Sequence, residues 1–403
     1  MVKKILKSYD YSLIIVLVML SIFGLIMVYS ASMVSSVQIY DVPSDFFYQK
    51  QKLHLVLSAL VFVIVALFPY KALMSNKILA PMVIISLVVL AALFIFGHVA
   101  GNAQSWFNLG ARSIQPSEFV KLSVIIYLSA VYTKKQSYIN EFNRGVVPPL
   151  IYLVFVFLLV AIQPDFGTAG IILAIAATIV LSSGMNYKNI TKVLLCGLAM
   201  GFPVILILKD EIFSEKRLAR FTALSDPFAV QQDTGYHLVN SYLAIGSGGV
   251  NGLGLGQSVQ KLGYLPESHT DFIMAVVAEE LGVWGVAFVL LSLGYIVLRG
   301  IYIALKCTDP FGSLLAIGIS SMIGLQAFIN LAGISGIIPL TGVPLPFVSY
   351  GGSSLLLLSM AMGILVNVSM FVNYEKKYKH KENNQQSIPP KKEGKNKGFN
   401  FTT

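Results

Sequence analysis

Apolar residues in this chain gather into long unbroken windows, not into alternating stripes. Ten such windows stand out, at 11–33, 52–69, 78–97, 117–133, 147–162, 168–185, 191–208, 271–298, 312–337 and 351–373. About 20 apolar residues in a helix cross a hydrocarbon core. Period-two alternation, the mark of a membrane β-barrel, is missing. The pattern predicts an all-α integral membrane protein, a ten-transmembrane-helix bundle. The windows at 117–133 and 147–162 are the shortest and carry Lys121, Pro148 and Pro149, so their limits are the least sharp.

Composition strengthens that reading. The 403 residues are 56% hydrophobic and 12% charged, with mean hydropathy +0.74. Soluble domains run near a quarter charged. The first window is longer than a signal-peptide core and lacks a small-residue cleavage site, so it reads as a retained helix. Lys3, Lys4 and Lys7 precede it. An inside N-terminus puts Lys71, Lys77, Lys134, Lys135, Arg144, Lys188, Lys192, Arg299, Lys306 and the tail inside too, which agrees with the positive-inside bias. Both termini are then cytoplasmic.

The connection at 209–270 falls outside and is long. Long ordered loops are usually functional. Residues 214–224 read as an amphipathic surface helix with Lys216, Arg217 and Arg220 facing phosphates, and 235–246 have helical spacing. The stretch after them is dense in glycine. No strand precedes Gly252, Gly254 and Gly256, so they do not read as a nucleotide loop. Residues 1–375 form one membrane domain. Residues 376–403 are read as a basic disordered cytoplasmic tail, suited to anionic lipid or to a partner. The two cysteines give no disulfide framework and the five histidines no HExxH spacing, so neither disulfide nor zinc site is predicted.

The chemistry concentrates at helix ends predicted to lie outside. Gln257 to Gly282 runs from a polar loop with Lys261, Glu267, His269 and Asp271 into an apolar helix carrying Glu279 and Glu280. Asp271 can be a base or an ordinary first-turn charge favoured by the helix dipole. Gln115-Pro116 opens a helix whose Glu118 and Lys121 stand at i,i+3, an ordinary pairing. Yet Lys121 already enters apolar sequence, where a lysine needs a partner or a cavity. Gln163-Pro164-Asp165 echoes that opening at a second helix end. Glu279 and Glu280 lie deeper and read as a buried pairing. The segment 342–354, GVPLPFVSYGGSS, is irregular backbone, which survives at membrane depth only against a cavity or buried in protein.

QPSEFVK (115–121), QPDFGTA (163–169), AIGSGGVNGLGLGQSVQKLGYLPESHTDF (244–272), AEELG (278–282) and GVPLPFVSYGGSS (342–354) together resemble the signatures of the SEDS family, in the same order, over about residues 10–375. The QKxGYLPExHTDF form is more similar to the family's cell-division branch than to its elongation branch. Met274 stands where Phe is common, and His237 and Asn240 stand where glutamines are common. The resemblance implies ten membrane helices and a peptidoglycan glycosyltransferase that polymerises lipid II during septal wall synthesis in the bacterial cell membrane. It implies Asp271 as general base for the acceptor sugar hydroxyl, with lipid pyrophosphate leaving. Pyrophosphate leaves as an anion, so one base suffices, and positive charge is what the reaction needs.

Arg112, Gln115, Glu118, Lys121, Lys261, His269, Ser349 and Tyr350 are then the expected substrate-binding residues, around one cavity with the 209–270 loop as its lid. No tightly bound cofactor is expected, and a divalent cation such as Mg or Mn would suit the pyrophosphate. The implied partners are lipid II and undecaprenyl-pyrophosphate-linked glycan, a class B penicillin-binding protein and other division proteins at the septum, with no nucleic acid. A lipid II flippase and a non-catalytic division scaffold are the rival readings.

Overall fold

The computed structural model describes residues 2–100, 103–108 and 113–379. Each of the ten apolar windows falls on a helix. These are α1 (Tyr11–Gln38), α2 (Phe46–Leu67), α3 (Asn76–Phe96), α4 (Pro116–Lys134), α5 (Val147–Ile162), α6 (Phe166–Ser182) and α7 (Tyr187–Ile207). The connection that follows contributes α8 (Glu215–Ser225) and α9 (Tyr236–Gly248), both at the expected places. Then come α10 (Ile273–Lys306), α11 (Pro310–Ile334) and α12 (Gly352–Tyr374). Among the described residues seven helices are long and apolar enough to cross a membrane: α1, α2, α3, α5 with the turn before it, α10, α11 and α12. Helix α6 is apolar but shorter.

The helix starts follow local chemistry. Asp10 accepts a hydrogen bond from the Leu13 amide at 3.4 Å, Asp165 from Thr168 at 3.1 Å and Asp309 from Gly312 at 3.3 Å. Each satisfies an amide that the first helical turn leaves orphaned. Pro116 and Pro310 occupy first-turn positions where a missing N–H costs nothing. One feature was absent from the hydropathy pattern. Between α3 and α4 the chain forms a small antiparallel sheet of β1 (His98–Ala100), β2 (Ala103–Asn108) and β3 (Ser113–Ile114).

Helix α11 is central and packs on α10, α6 and α4, while α12 packs chiefly along α2. Helix α7 is peripheral, with Leu194, Leu195, Leu198 and Phe202 exposed. Lipid offers no hydrophobic drive between helices, so close packing and cross-helix hydrogen bonds hold such bundles. Asn367 of α12 shows the second device. It accepts from the Tyr70 amide at 2.9 Å and donates to the Ala66 carbonyl at 2.6 Å. The hydroxyl of Tyr152 meets those of Ser86 and Ser123, each at 2.6 Å.

Helix α10 is broken. Gly282 adopts φ 60°, ψ −151°, a region essentially reserved for glycine, so the helix divides into 273–281 and 283–306. The glycine-dense loop fills the break. The amides of Leu253 and Gly254 donate to the carbonyls of Glu279 and Glu280, each at 2.9 Å, and the Val283 amide donates to Val250 at 3.1 Å. A Cβ on Gly282 would stand 2.4 Å from the Val250 carbonyl oxygen.

Candidate active site

Three consecutive carbonyls in front of α10 are held from outside their own segment. The His269 carbonyl accepts the Tyr350 amide at 2.9 Å. The Thr270 carbonyl accepts the Ser349 hydroxyl at 2.6 Å. The Asp271 carbonyl accepts the Asn330 side-chain amide at 2.8 Å. The 342–354 segment and α11 thus fix the backbone that presents Asp271, just before the apolar helix begins.

Asp271 borders a small, partly open cleft lined by Asn330, Ile334, Leu340, Thr341, Gly342 and Val343, among others. Gly342, at φ 74°, faces it directly; a Cβ there would come 3.4 Å from Asp271 Oδ2. Burial pushes the Asp271 carboxyl up to about 7, with Glu267 adding to the rise and Arg220 opposing it. A second small depression, lined by Arg220, Thr234, Leu238 and Leu340, adjoins the first at Leu340.

Arg220 comes from α8 and donates to the Leu340 carbonyl at 3.0 Å. Arg217, one turn earlier, donates to the Pro164 carbonyl at 3.2 Å and lies over the Phe166 ring at 4.7 Å. Helix α8 therefore bridges from the Gln163-Pro164-Asp165 turn to the rim of the Asp271 cleft. The histidines nearby are not cations at neutral pH. Burial lowers both His237 and His269, although Glu267 acts the other way. His237 stacks on Phe272, and His269 sits among Phe47, Tyr350 and Tyr40. Burial also raises the Tyr350 phenol to about 12, so it stays protonated.

The other expected residues fall in three places. Gln115 donates to the Asp165 carboxylate at 3.3 Å, and its amide reaches the Ser353 hydroxyl at 3.5 Å, so the two Gln-Pro turns meet each other and the 342–354 segment. Glu118 and Lys121 form a buried ion pair at 2.7 Å within α4. Lys261 is buried too, bound to Glu280 at 2.7 Å and to Ser30 at 2.9 Å. Its charge is committed to that network and not to the Asp271 cleft. Glu279 closes the same loop, accepting from the Ser258 hydroxyl and from the Val259 amide at 2.8 Å. Both deep glutamates are thus buried and satisfied, Glu280 by an ion pair and Glu279 by hydroxyl and backbone donors. Arg112 lies outside the described residues.

Two residues at the cleft go beyond the substrate-binding residues expected from the motifs. Arg220, expected to face phosphates from the loop helix, stands at its rim, and Asn330 enters it from an apolar window, where an amide is itself a signal. Among the described residues no group of three or more His, Cys, Asp or Glu side chains gathers to hold a metal ion. The positive charge beside Asp271 comes from Arg220.

The family model FTSW_RODA_SPOVE, described as "Cell cycle protein", matches residues 10–374. The chain belongs to this family. It is 57% identical over 385 residues to the "Probable peptidoglycan glycosyltransferase FtsW" of Bacillus subtilis (strain 168), covering 95% of this chain and 96% of that one. It is 39% identical over 367 residues to "Stage V sporulation protein E" of the same organism, covering 91% and 98%. Among solved structures, the rod shape determining protein RodA of Thermus thermophilus superposes with TM-score 0.64 at 25% identity, covering 90% of this chain and 96% of that one. A chain in a structure described as a peptidoglycan synthase complex that coordinates polymerization and crosslinking superposes with TM-score 0.70 at 23% identity, covering 90% and 98%. The resemblance drawn from the motifs is borne out at the level of family, and the last two similarities extend it to the fold.

Proposed function

We infer that the chain is a peptidoglycan glycosyltransferase that polymerises lipid II into glycan strands. One observation carries the mechanism: a single carboxyl, raised to about 7 by burial, stands in a cleft at the end of an apolar helix. A general base works best with a pKa near the operating pH. The acceptor sugar hydroxyl attacks the anomeric carbon of the donor, and Asp271 takes its proton. The bond from that carbon to the lipid pyrophosphate breaks, and the pyrophosphate leaves as an anion. Arg220 supplies positive charge where that negative charge develops. No second carboxylate is required, because the leaving group needs no proton.

The substrates keep their lipid in the bilayer, so the reacting groups meet at headgroup level. The position of Asp271, ahead of the membrane helix, supports this. Ten membrane helices with both ends cytoplasmic, the cleft outside and α8 as part of its lid form the arrangement we propose for the septal membrane. A crosslinking partner of the class B penicillin-binding type is proposed from the likeness to a chain of a polymerising and crosslinking complex. The test is glycan synthesis by the purified protein in liposomes with lipid II, with and without the partner. Polymer made by the wild type and lost in Asp271→Asn supports the reading. Lipid moved across the bilayer without polymer would make the protein a flippase, and neither result a scaffold.

A further inference from the structure

Asn330 spends both hydrogens of its side-chain amide on the carbonyls of two residues that line the cleft. Its Nδ2 donates to Asp271 at 2.8 Å and to Val343 at 2.8 Å. An amide nitrogen has two N–H donors, so its donor capacity is fully used. The side chain is 5% exposed, and its Oδ1 is buried with no hydrogen-bond partner. An unsatisfied buried acceptor costs free energy. A leucine has the same branched side-chain skeleton and no polar atom to leave unsatisfied, so stability alone is a poor reason for an asparagine here.

We propose that Asn330 is the positioning residue for Asp271: its amide ties the backbone of Asp271 to the Gly342–Val343 wall and so sets the gap that the reacting hydroxyl enters. The ties at His269 and Thr270 come from Tyr350 and Ser349, within one segment. The tie at Asp271 itself comes from α11, the central helix, which gives the carboxyl a rigid reference. The same amide holds Val343, next to the glycine that leaves room for Asp271 Oδ2. The proposal rests on Asp271 being the base.

The test uses the full-length protein, with its partner where activity requires it, and follows lipid II polymerisation. Asn330→Leu keeps the branched side-chain skeleton and removes both ties. A misplacement of about 1 Å at a reacting group can cost on the order of 100-fold in rate. The expected result is a kcat lowered by about 10–100-fold with KM little changed and the rising limb of the pH profile displaced. Asn367→Leu is the control. It removes an amide bridge of the same kind, between Tyr70 and Ala66. It should lower thermal stability without moving the pH profile or kcat per folded molecule. Asn330→Ser, which can hold only one carbonyl, should fall between wild type and Asn330→Leu, and it carries the test if the leucine variant does not fold. Wild-type kcat and pH midpoint in the folded Asn330 variants, with Asp271→Asn inactive, would overturn the positioning role alone. An active Asp271→Asn would instead overturn the reading beneath it.

Discussion

The raised carboxyl of Asp271 makes the pH profile the sharpest prediction. With its pKa at about 7, the ionised fraction is about 0.1 at pH 6 and about 0.9 at pH 8, a rise of about tenfold in kcat/KM if the base must be ionised. The assay is the initial polymerisation rate at subsaturating lipid II, which reports the free enzyme. Glu267 adds to the rise and Arg220 opposes it. Glu267→Gln should therefore move the rising limb to lower pH, and Arg220→Gln to higher pH. Stability should run opposite to activity. The folded carboxyl lies above its ordinary 3.8, so the folded state binds more protons between about pH 4 and 7, and stability falls as pH rises through that window. The interval corresponds to roughly 4 kcal/mol. Asp271→Asn should melt well above the wild type at pH 8 and level with it near pH 4, while losing about 10²–10⁴ in rate. A flat rate between pH 5.5 and 8.5, or a Glu267→Gln limb displaced upward, would refute the assignment.

Lys121→Ala should impair growth complementation far more than Lys71→Ala, because Lys121 is buried against Glu118 and Lys71 is exposed; equal, mild losses would make the α4 pair dispensable. Glu280→Leu strands the buried Lys261 ammonium and should cost about 3–5 kcal/mol of stability, whereas the double variant with Lys261→Met should regain much of it. Equal melting temperatures for the single and double variants would show the two groups to be uncoupled. Gly282→Ala forces a side chain into the Val250 carbonyl at a glycine-only conformation. It should abolish accumulation of folded protein in the membrane, as read by the yield of monodisperse protein in detergent, and a wild-type yield would contradict the break in α10.

The helices were legible because each is a long apolar run, and hydropathy integrates over the whole run. The amphipathic α8 and the helical α9 were legible for the same reason of period, even within a loop. What the pattern could not carry is anything decided by a partner distant in the chain. Lys261 reads from its motif as a substrate-binding residue, but its partners are Glu280 and Ser30, the latter 231 residues away. The break at Gly282 is invisible to hydropathy, since both halves of α10 are apolar and the AEELG motif reads through it. The strands at 98–114 are too short to show a period. Asn330 does not stand out in the sequence, because the two amides Gln326 and Asn330 scarcely lower the mean of the apolar window 312–337. Asp271 was legible through motif and charge together, while its raised pKa depended on burial beside Gly342 that only the fold supplies.

The bonds that join the ends of the chain also set a timetable for its synthesis. Ser30 meets Glu280 across 250 residues, Gln51 meets Gly351 across 300, and Asn367 meets Ala66 across 301. A ribosome adds about 5–20 residues each second, so α1 waits on the order of 10–50 s after its own synthesis for the glutamate that its serine holds. Through that interval the first helices reside in the bilayer with their polar groups uncommitted, open to chaperones and to membrane proteases. Ribosome-arrested chains of increasing length should keep α1 and α2 protease-sensitive until the 351–367 region has left the tunnel. Full protection in a chain arrested near residue 260 would show that the early helices settle without the late ones.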